Sequence, residues 1–135
     1  MNHSFFMFMK PPTTTQQQKN VSCKSGKPIF YEDDELKKTR QDFMIRLNKN
    51  KPERILEGSI RLVTKWCYPI SGNHKDGEWK DTKPDTDNMI KLLKDCMEKT
   101  GFFKNDSQVA SEITEKFWAD VPGIYIYLEE LNDVD

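Results

Sequence analysis

The densest polar cluster in this 135-residue chain is Lys83-Pro84-Asp85-Thr86-Asp87-Asn88. Side chains alternate along an extended backbone, so an extended path through Asp87 sets Asp85 and Asp87 on one side. Two carboxylates so placed resist joint ionisation unless a cation lies between them. The fitting occupant is a hard divalent ion, Mg²⁺ or Mn²⁺, which prefers carboxylate oxygens and keeps positions for phosphate and water. Lys91 follows Asp87 by four residues, one helical turn along the same face. It can hold a phosphate or a leaving oxygen, or simply pair with Asp87 or Asp95. Asp106 stands in Asn105-Asp106-Ser107, which alone reads as a turn. Asp87 or Asn88 also falls where a following helix needs its N-cap, the commoner use of such a stretch. An EF-hand is excluded, because Ile90 occupies the place of the obligatory glycine.

Other side chains offer less chemistry. His3 and His74 read as surface residues. Trp66, Tyr68, Trp79 and Trp118 could stack on unpaired bases, although Trp66 and Trp118 fit a core or sheet face better. Lys10, Lys19, Lys24 and Lys27 lie in or beside a polar stretch and suit phosphate contacts that do not read sequence; a merely solvated loop fits them equally. Cys23, Cys67 and Cys96 form no C-x-x-C pair, so neither a zinc site nor a disulfide framework is indicated. The formal net charge is −1, but residues 1–60 hold 11 Lys+Arg against 7 Asp+Glu and the remainder 10 against 15. A near-neutral total can thus contain a basic surface and an acidic site. The longest apolar run, Phe5 to Met9, is too short to span a bilayer and lacks signal-peptide flanks. The expected setting is the cytoplasm, with no membrane partner and no small-molecule cofactor.

The length suits one domain over residues 1–135. Ser4 to Met9 predicts a buried strand that Pro11-Pro12 ends. Thr13 to Pro28 reads as a long polar loop. Leu36, Phe43, Met44 and Leu47 share one face of a helix over 33–48, closed by Pro52. Residues 58–68 alternate as a strand, and 71–83 read as a polar loop with little to order it. A second helix is predicted from Asn88 to Thr100, stopped by Gly101. Its broad apolar face, Met89, Ile90, Leu92, Leu93, Cys96 and Met97, predicts contact on two sides. Strands over 109–118 and 123–128, joined at Pro122-Gly123, complete an α/β (α+β) fold: a small mixed sheet of about four strands with two main helices.

Asp85-Thr86-Asp87-Asn88, Lys91, Asp95, Gly101-Phe102-Phe103 and Asp106-Ser107-Gln108-Val109 together resemble, without a gap in spacing, the signature of the RusA family of Holliday junction resolvases. Lys116, Pro122-Gly123-Ile124 and the early Pro11-Pro12-Thr13 fit the same family. The resemblance is closest over the last 50 or so residues. It implies a small homodimeric endonuclease that cuts four-way junctions and other branched DNA with Mg²⁺ or Mn²⁺. It implies metal-associated catalytic aspartates, here Asp85, Asp87 and Asp106, and a lysine beside them, here Lys91. One departure is Asn105, where many members carry a second aspartate; an asparagine keeps an oxygen but loses a charge. The alternatives are a branched-DNA-binding module of the same fold with weak or no catalysis, and an unrelated nucleotide phosphohydrolase. The latter would want a glycine-rich phosphate loop or a His-Asp pair, and neither occurs.

The spacing poses a geometric problem. A straight helix from Asn88 to Thr100 is roughly 20 Å long, with Asp87 at its start and Asp106 past its end. Gly101 to Asn105 reach back at most about 18 Å. Either the helix is broken, or an antiparallel homodimer brings Asp106 of one chain to Asp85 and Asp87 of the other. The broad apolar face of the helix would then supply the interface.

Overall fold

Alternating apolar residues along three segments and a 3.6-residue period along two others meet in one layer of strands beneath one layer of helices. The computed structural model describes residues 1–13, 19–24, 27–32 and 34–131, with side chains described for 1–13 and 34–131. The chain order is β1 (Asn2–Phe8), β2 (Lys19–Lys24), β3 (Lys27–Glu32), α1 (Asp34–Lys49), β4 (Ile60–Pro69), α2 (Thr86–Thr100), a 3-10 turn (Asp106–Gln108), β5 (Val109–Ala119) and β6 (Gly123–Glu130). The main sheet has the order β1-β6-β4-β5. β6 runs antiparallel to both β1 and β4, whereas β4 and β5 are parallel. Parallel neighbours need a crossover, and α2 provides it, so β4, α2 and β5 form a β-α-β unit.

The core explains the pattern. Ile60, Leu62, Trp66 and Tyr68 on β4 are buried with Ile124, Ile126 and Leu128 on β6, against Leu36, Phe43 and Leu47 of α1 and Leu92, Leu93, Cys96 and Met97 of α2. The buried Thr64 hydroxyl accepts a 2.9 Å hydrogen bond from the Trp66 indole, which offsets the cost of burying these two polar groups. Burial pushes the Cys96 thiol up to about 11. Cys67 and Cys96 are free thiols. Among the described residues no helix is long and apolar enough to cross a membrane.

Four expectations change. The polar stretch before α1 is not all loop: β2 and β3 pair antiparallel from Lys19↔Glu32 to Lys24↔Lys27. The segment after β4 is not loose, because Gly77 and Lys80 donate backbone hydrogen bonds to Trp118 and Lys116 of β5, and Trp118 donates back to Glu78. His3 is not a surface residue; it lies half-buried on β1, hydrogen-bonded to the Asn50 carbonyl and packed beside Phe5 and Phe102. The apolar face of α2 is not available as a dimer interface, since all six of its residues are buried within one chain. The two-sided contact is real, but both sides are internal: α1 on one and the sheet on the other. Arg40 of α1 adds an ion pair with Asp95 of α2 at 2.5 Å.

Candidate active site

The backbone does not run extended through Asp87. Helix α2 starts at Thr86, and Asp85 is its N-cap residue (φ −71°, ψ 142°). Asp87 therefore sits in the first helical turn. The two carboxylates share the helix start for that reason, not by strand alternation. The cap is not made by a side chain: Asp85 forms no capping hydrogen bond, and only its carbonyl is engaged, by Met89 N–H at 3.2 Å. Asp85, Asp87 and Lys91 are exposed. None of the three side chains has a hydrogen bond or ion pair among the described residues. The ion pairs that Lys91 could have made are absent, because Asp95 is held by Arg40 and Lys99. Two anionic groups and one cation thus stand uncommitted where the helix dipole favours an anion.

What holds this turn is cationic. Lys116, near the end of β5, donates to the Thr82 carbonyl at 2.5 Å and to the Pro84 carbonyl at 2.8 Å, directly before Asp85. Lys80 donates to the Thr82 hydroxyl. Tyr68, near the end of β4, donates to the Pro12 carbonyl at 3.1 Å and lies 3.5 Å from Met89 Sδ, tying the post-β1 segment and α2 together. Burial drives the Tyr68 phenol far above its ordinary value. The site is therefore at the carboxyl ends of the parallel strands β4 and β5, where open α/β sheets form their crevices. Sequence reading did not find Lys80, and it noted Lys116 only as part of a resemblance. Their roles depend on contacts across 34 residues in the case of Lys116 and Pro84's neighbour Thr82, which no local pattern carries.

Asp106 lies at the other end of α2. Its backbone N–H donates to Glu98 Oε1 at 2.7 Å. Glu98 follows Asp85 by thirteen positions, roughly 20 Å along the axis. The helix is unbroken from Thr86 to Thr100 and closes at Gly101, whose φ of 91° suits glycine. One chain thus does not unite Asp106 with Asp85 and Asp87. Among the described residues no group of three acidic, His or Cys side chains could hold a metal ion. Asn105 accepts a hydrogen bond from Ser107 N–H at 2.8 Å, while Gln108 Oε1 accepts from Lys104 N–H and Asn105 N–H. Its oxygen is a cap, not an outward ligand.

Of the DNA-contact candidates, Lys10 is exposed and lines the crevice beside Tyr68, Lys80 and Trp118. Lys19, Lys24 and Lys27 fall on the β2–β3 hairpin, and their side chains lie outside the described residues. Trp66 is core. Trp118 is buried, with His74 stacked on it at 4.4 Å and Lys80 Nζ over it at 4.3 Å, so its ring is already in use. Trp79 is 63 % exposed against Phe117. His74 pairs with Glu78 at 2.6 Å.

The family described as Endodeoxyribonuclease RusA matches the chain over residues 10–129. A crossover junction endodeoxyribonuclease, rusA, of Lactococcus phage r1t is 32 % identical over 111 residues, covering 81 % of this chain and 83 % of the phage protein. The uncharacterized protein YqaN of Bacillus subtilis (strain 168) is 26 % identical over 122 residues, covering 82 % of this chain and 85 % of that one.

Proposed function

Because this chain belongs to the RusA family of endodeoxyribonucleases, we propose that it resolves Holliday junctions and other branched DNA by phosphodiester hydrolysis, from composite sites built across a homodimer. Asp85 and Asp87 are the primary metal ligands, Asp106 is the third carboxylate, and Lys91 acts beside them. The observation that carries this reading is the uncommitted pair at the start of α2. Neither carboxylate caps the helix or enters an ion pair among the described residues, so both are free to take a cation.

The donor set suits Mg²⁺ or Mn²⁺, which bind through one or two carboxylates and leave positions for phosphate and water. Such an ion supplies Lewis acidity toward the phosphate and lowers the pKa of water. The chain's own residues do the rest. Asp85 and Asp87 concentrate negative charge at one point of the crevice. Water adds to phosphorus, the P–O3′ bond breaks, and a 5′-phosphate and a 3′-hydroxyl result. Lys91, exposed one turn along from Asp87, neutralises charge that develops on the phosphate oxygens. Lys116 fixes the Thr82–Pro84 turn and so the position of Asp85. Lys10, with Lys19, Lys24 and Lys27, contacts backbone phosphates.

On this reading Asp106, anchored at the far end of an unbroken helix, joins the pair from a second chain, and a twofold dimer makes two such sites for paired cuts. The covered face of α2 means that the interface is built elsewhere than on that face. The test is a synthetic four-way junction, a flap and a linear duplex, each incubated with and without Mg²⁺. Metal-dependent cutting of the branched substrates is expected. Junction binding without cutting at any metal concentration would leave the inactive binding module as the better reading.

A further inference from the structure

A cavity of about 370 Å³ opens at the carboxyl ends of β4 and β5, lined in part by Lys10, Thr13, Tyr68, Ser71, Lys80 and Trp118. Lys80 is only 9 % exposed. A buried ammonium is costly unless an anion compensates it. Its partners are the Thr82 hydroxyl, the Tyr68 ring at 5.2 Å and the Trp118 ring at 4.3 Å. Cation–π contacts lessen the cost without supplying negative charge. No carboxylate forms an ion pair with Lys80 among the described residues. Burial and the nearby Lys116 both lower its pKa, and Asp81 opposes them only in part. A lining residue also carries an unmet donor: the indole N–H of Trp118, a residue 8 % exposed, has no acceptor among the described residues. An indole N–H without an acceptor and an ammonium without an anion, both on residues that line one cavity, make a site short of one anion.

We infer that this cavity is a phosphate subsite, in which Lys80 receives a DNA backbone phosphate beside the one that is cut. The assignment rests on the nuclease reading and deepens it. Thr82 links the two places: its hydroxyl takes Lys80 and its carbonyl takes Lys116, and Asp85 follows three residues later. Three residues span at most about 11 Å, and phosphates of one strand recur every 3.4 Å or so of duplex axis. The subsite phosphate therefore lies within about three nucleotides of the scissile one. Lys10, exposed at the mouth, extends the same path, and the Tyr68 hydroxyl is already taken by the Pro12 carbonyl. The subsite grips backbone and is indifferent to sequence.

The experiment measures four-way-junction binding without divalent metal as a function of salt. It compares the wild type with Lys80→Met, which keeps the stem between the rings, and Lys80→Arg, which keeps the charge. Loss of one phosphate contact per chain is expected to make the slope of log K against log salt shallower by about 0.9 per chain in Lys80→Met, with Lys80→Arg near the wild type. An unchanged slope overturns the subsite, leaving Lys80 as a brace for the turn. A second measurement needs no variant: pyrophosphate titrated at constant ionic strength should move the Trp118 indole N–H resonance. If the wild type neither binds nor cuts any branched DNA, the nuclease reading fails by itself. The titration then decides alone: a saturable shift sustains the subsite, and no shift overturns it.

Discussion

The two ends of α2 are held by opposite chemistry. At its start, cationic side chains donate to backbone carbonyls: Lys116 to Thr82 and Pro84, with Lys80 on the Thr82 hydroxyl. At its end, anionic and amide oxygens accept backbone N–H groups: Glu98 from Asp106, Gln108 from Lys104 and Asn105, and Glu130 from Glu57. Lysine braces leave the carboxylates of Asp85 and Asp87 free and place positive charge beside them, as a phosphate-handling crevice needs. Carboxylate and amide braces hold the turn that presents Asp106 outward. On the proposed reading the start of the helix carries the metal pair, and the other end presents one residue to a second chain.

The sharpest break in this contrast comes from mixing subunits. Asp85→Asn/Asp87→Asn homodimers and Asp106→Asn homodimers should each lose cleavage by at least about 10²-fold, with junction binding intact. A mixed dimer should recover one site and nick a single strand in a gel-based cleavage assay. A dead mixed dimer would mean that both ends serve one chain. Next in size is Lys116→Met. Losing both carbonyl contacts should misplace Asp85 and lower kcat by roughly 10- to 100-fold, with KM for the junction within a few-fold of wild type. A Lys116→Arg variant should recover part of the rate, and KM rising while kcat holds would reassign Lys116 to substrate binding.

At the opposite end the effects shrink. Asn105→Ala should cost about 1 kcal/mol by chemical denaturation, as loss of a cap does. Asn105→Asp keeps the cap, and cleavage should stay within about threefold of wild type. A large gain would show that a second carboxylate there reaches the metal. The smallest effect is the response to acid. Arg54 in bidentate contact, the Glu57 N–H and the chain's amino group hold Glu130 down at about 2. A depressed carboxyl contributes stability that is complete above its unfolded value, about 4.3, and is lost as pH falls toward 2. Melting temperature should fall over that window in the wild type, and less steeply in Arg54→Met.

The same contrast governs how much could be read from the residues alone. Strands β4, β5 and β6, both helices and the Gly101 stop were legible because each writes its period or its terminator locally. The β2–β3 hairpin was not, since Val21, Cys23, Ile29 and Tyr31 alternate too briefly within a polar stretch; Ser25-Gly26 between the two arms was the signal available. Asp85, Asp87, Lys91 and Asp106 stand out by type and spacing, and the structure sets the first three on the first turns of α2 and the fourth at its other end. The extended path through Asp87 was an error of two residues: α2 begins at Thr86, not Asn88, earlier than its apolar stripe declares. The broad face of that helix promised two contacts, and periodicity cannot say whether a contact belongs to the same chain. Lys80 and Lys116 become meaningful only when β5 meets the turn before α2.

That meeting has one more result. An outermost strand presents a row of unpaired backbone groups, the template on which other chains can add and aggregate. β5 is such a strand, lying at the end of the sheet order. Gly77, Glu78 and Lys80 cover the part of its rim around Lys116 and Trp118. The connection that carries Asp85 into position is therefore also an edge guard, so loosening it exposes sticky backbone as well as displacing a carboxylate. Variants in 77–80 should be judged by solubility and light scattering as much as by turnover, because for this segment colloidal stability and activity are secured by the same few hydrogen bonds.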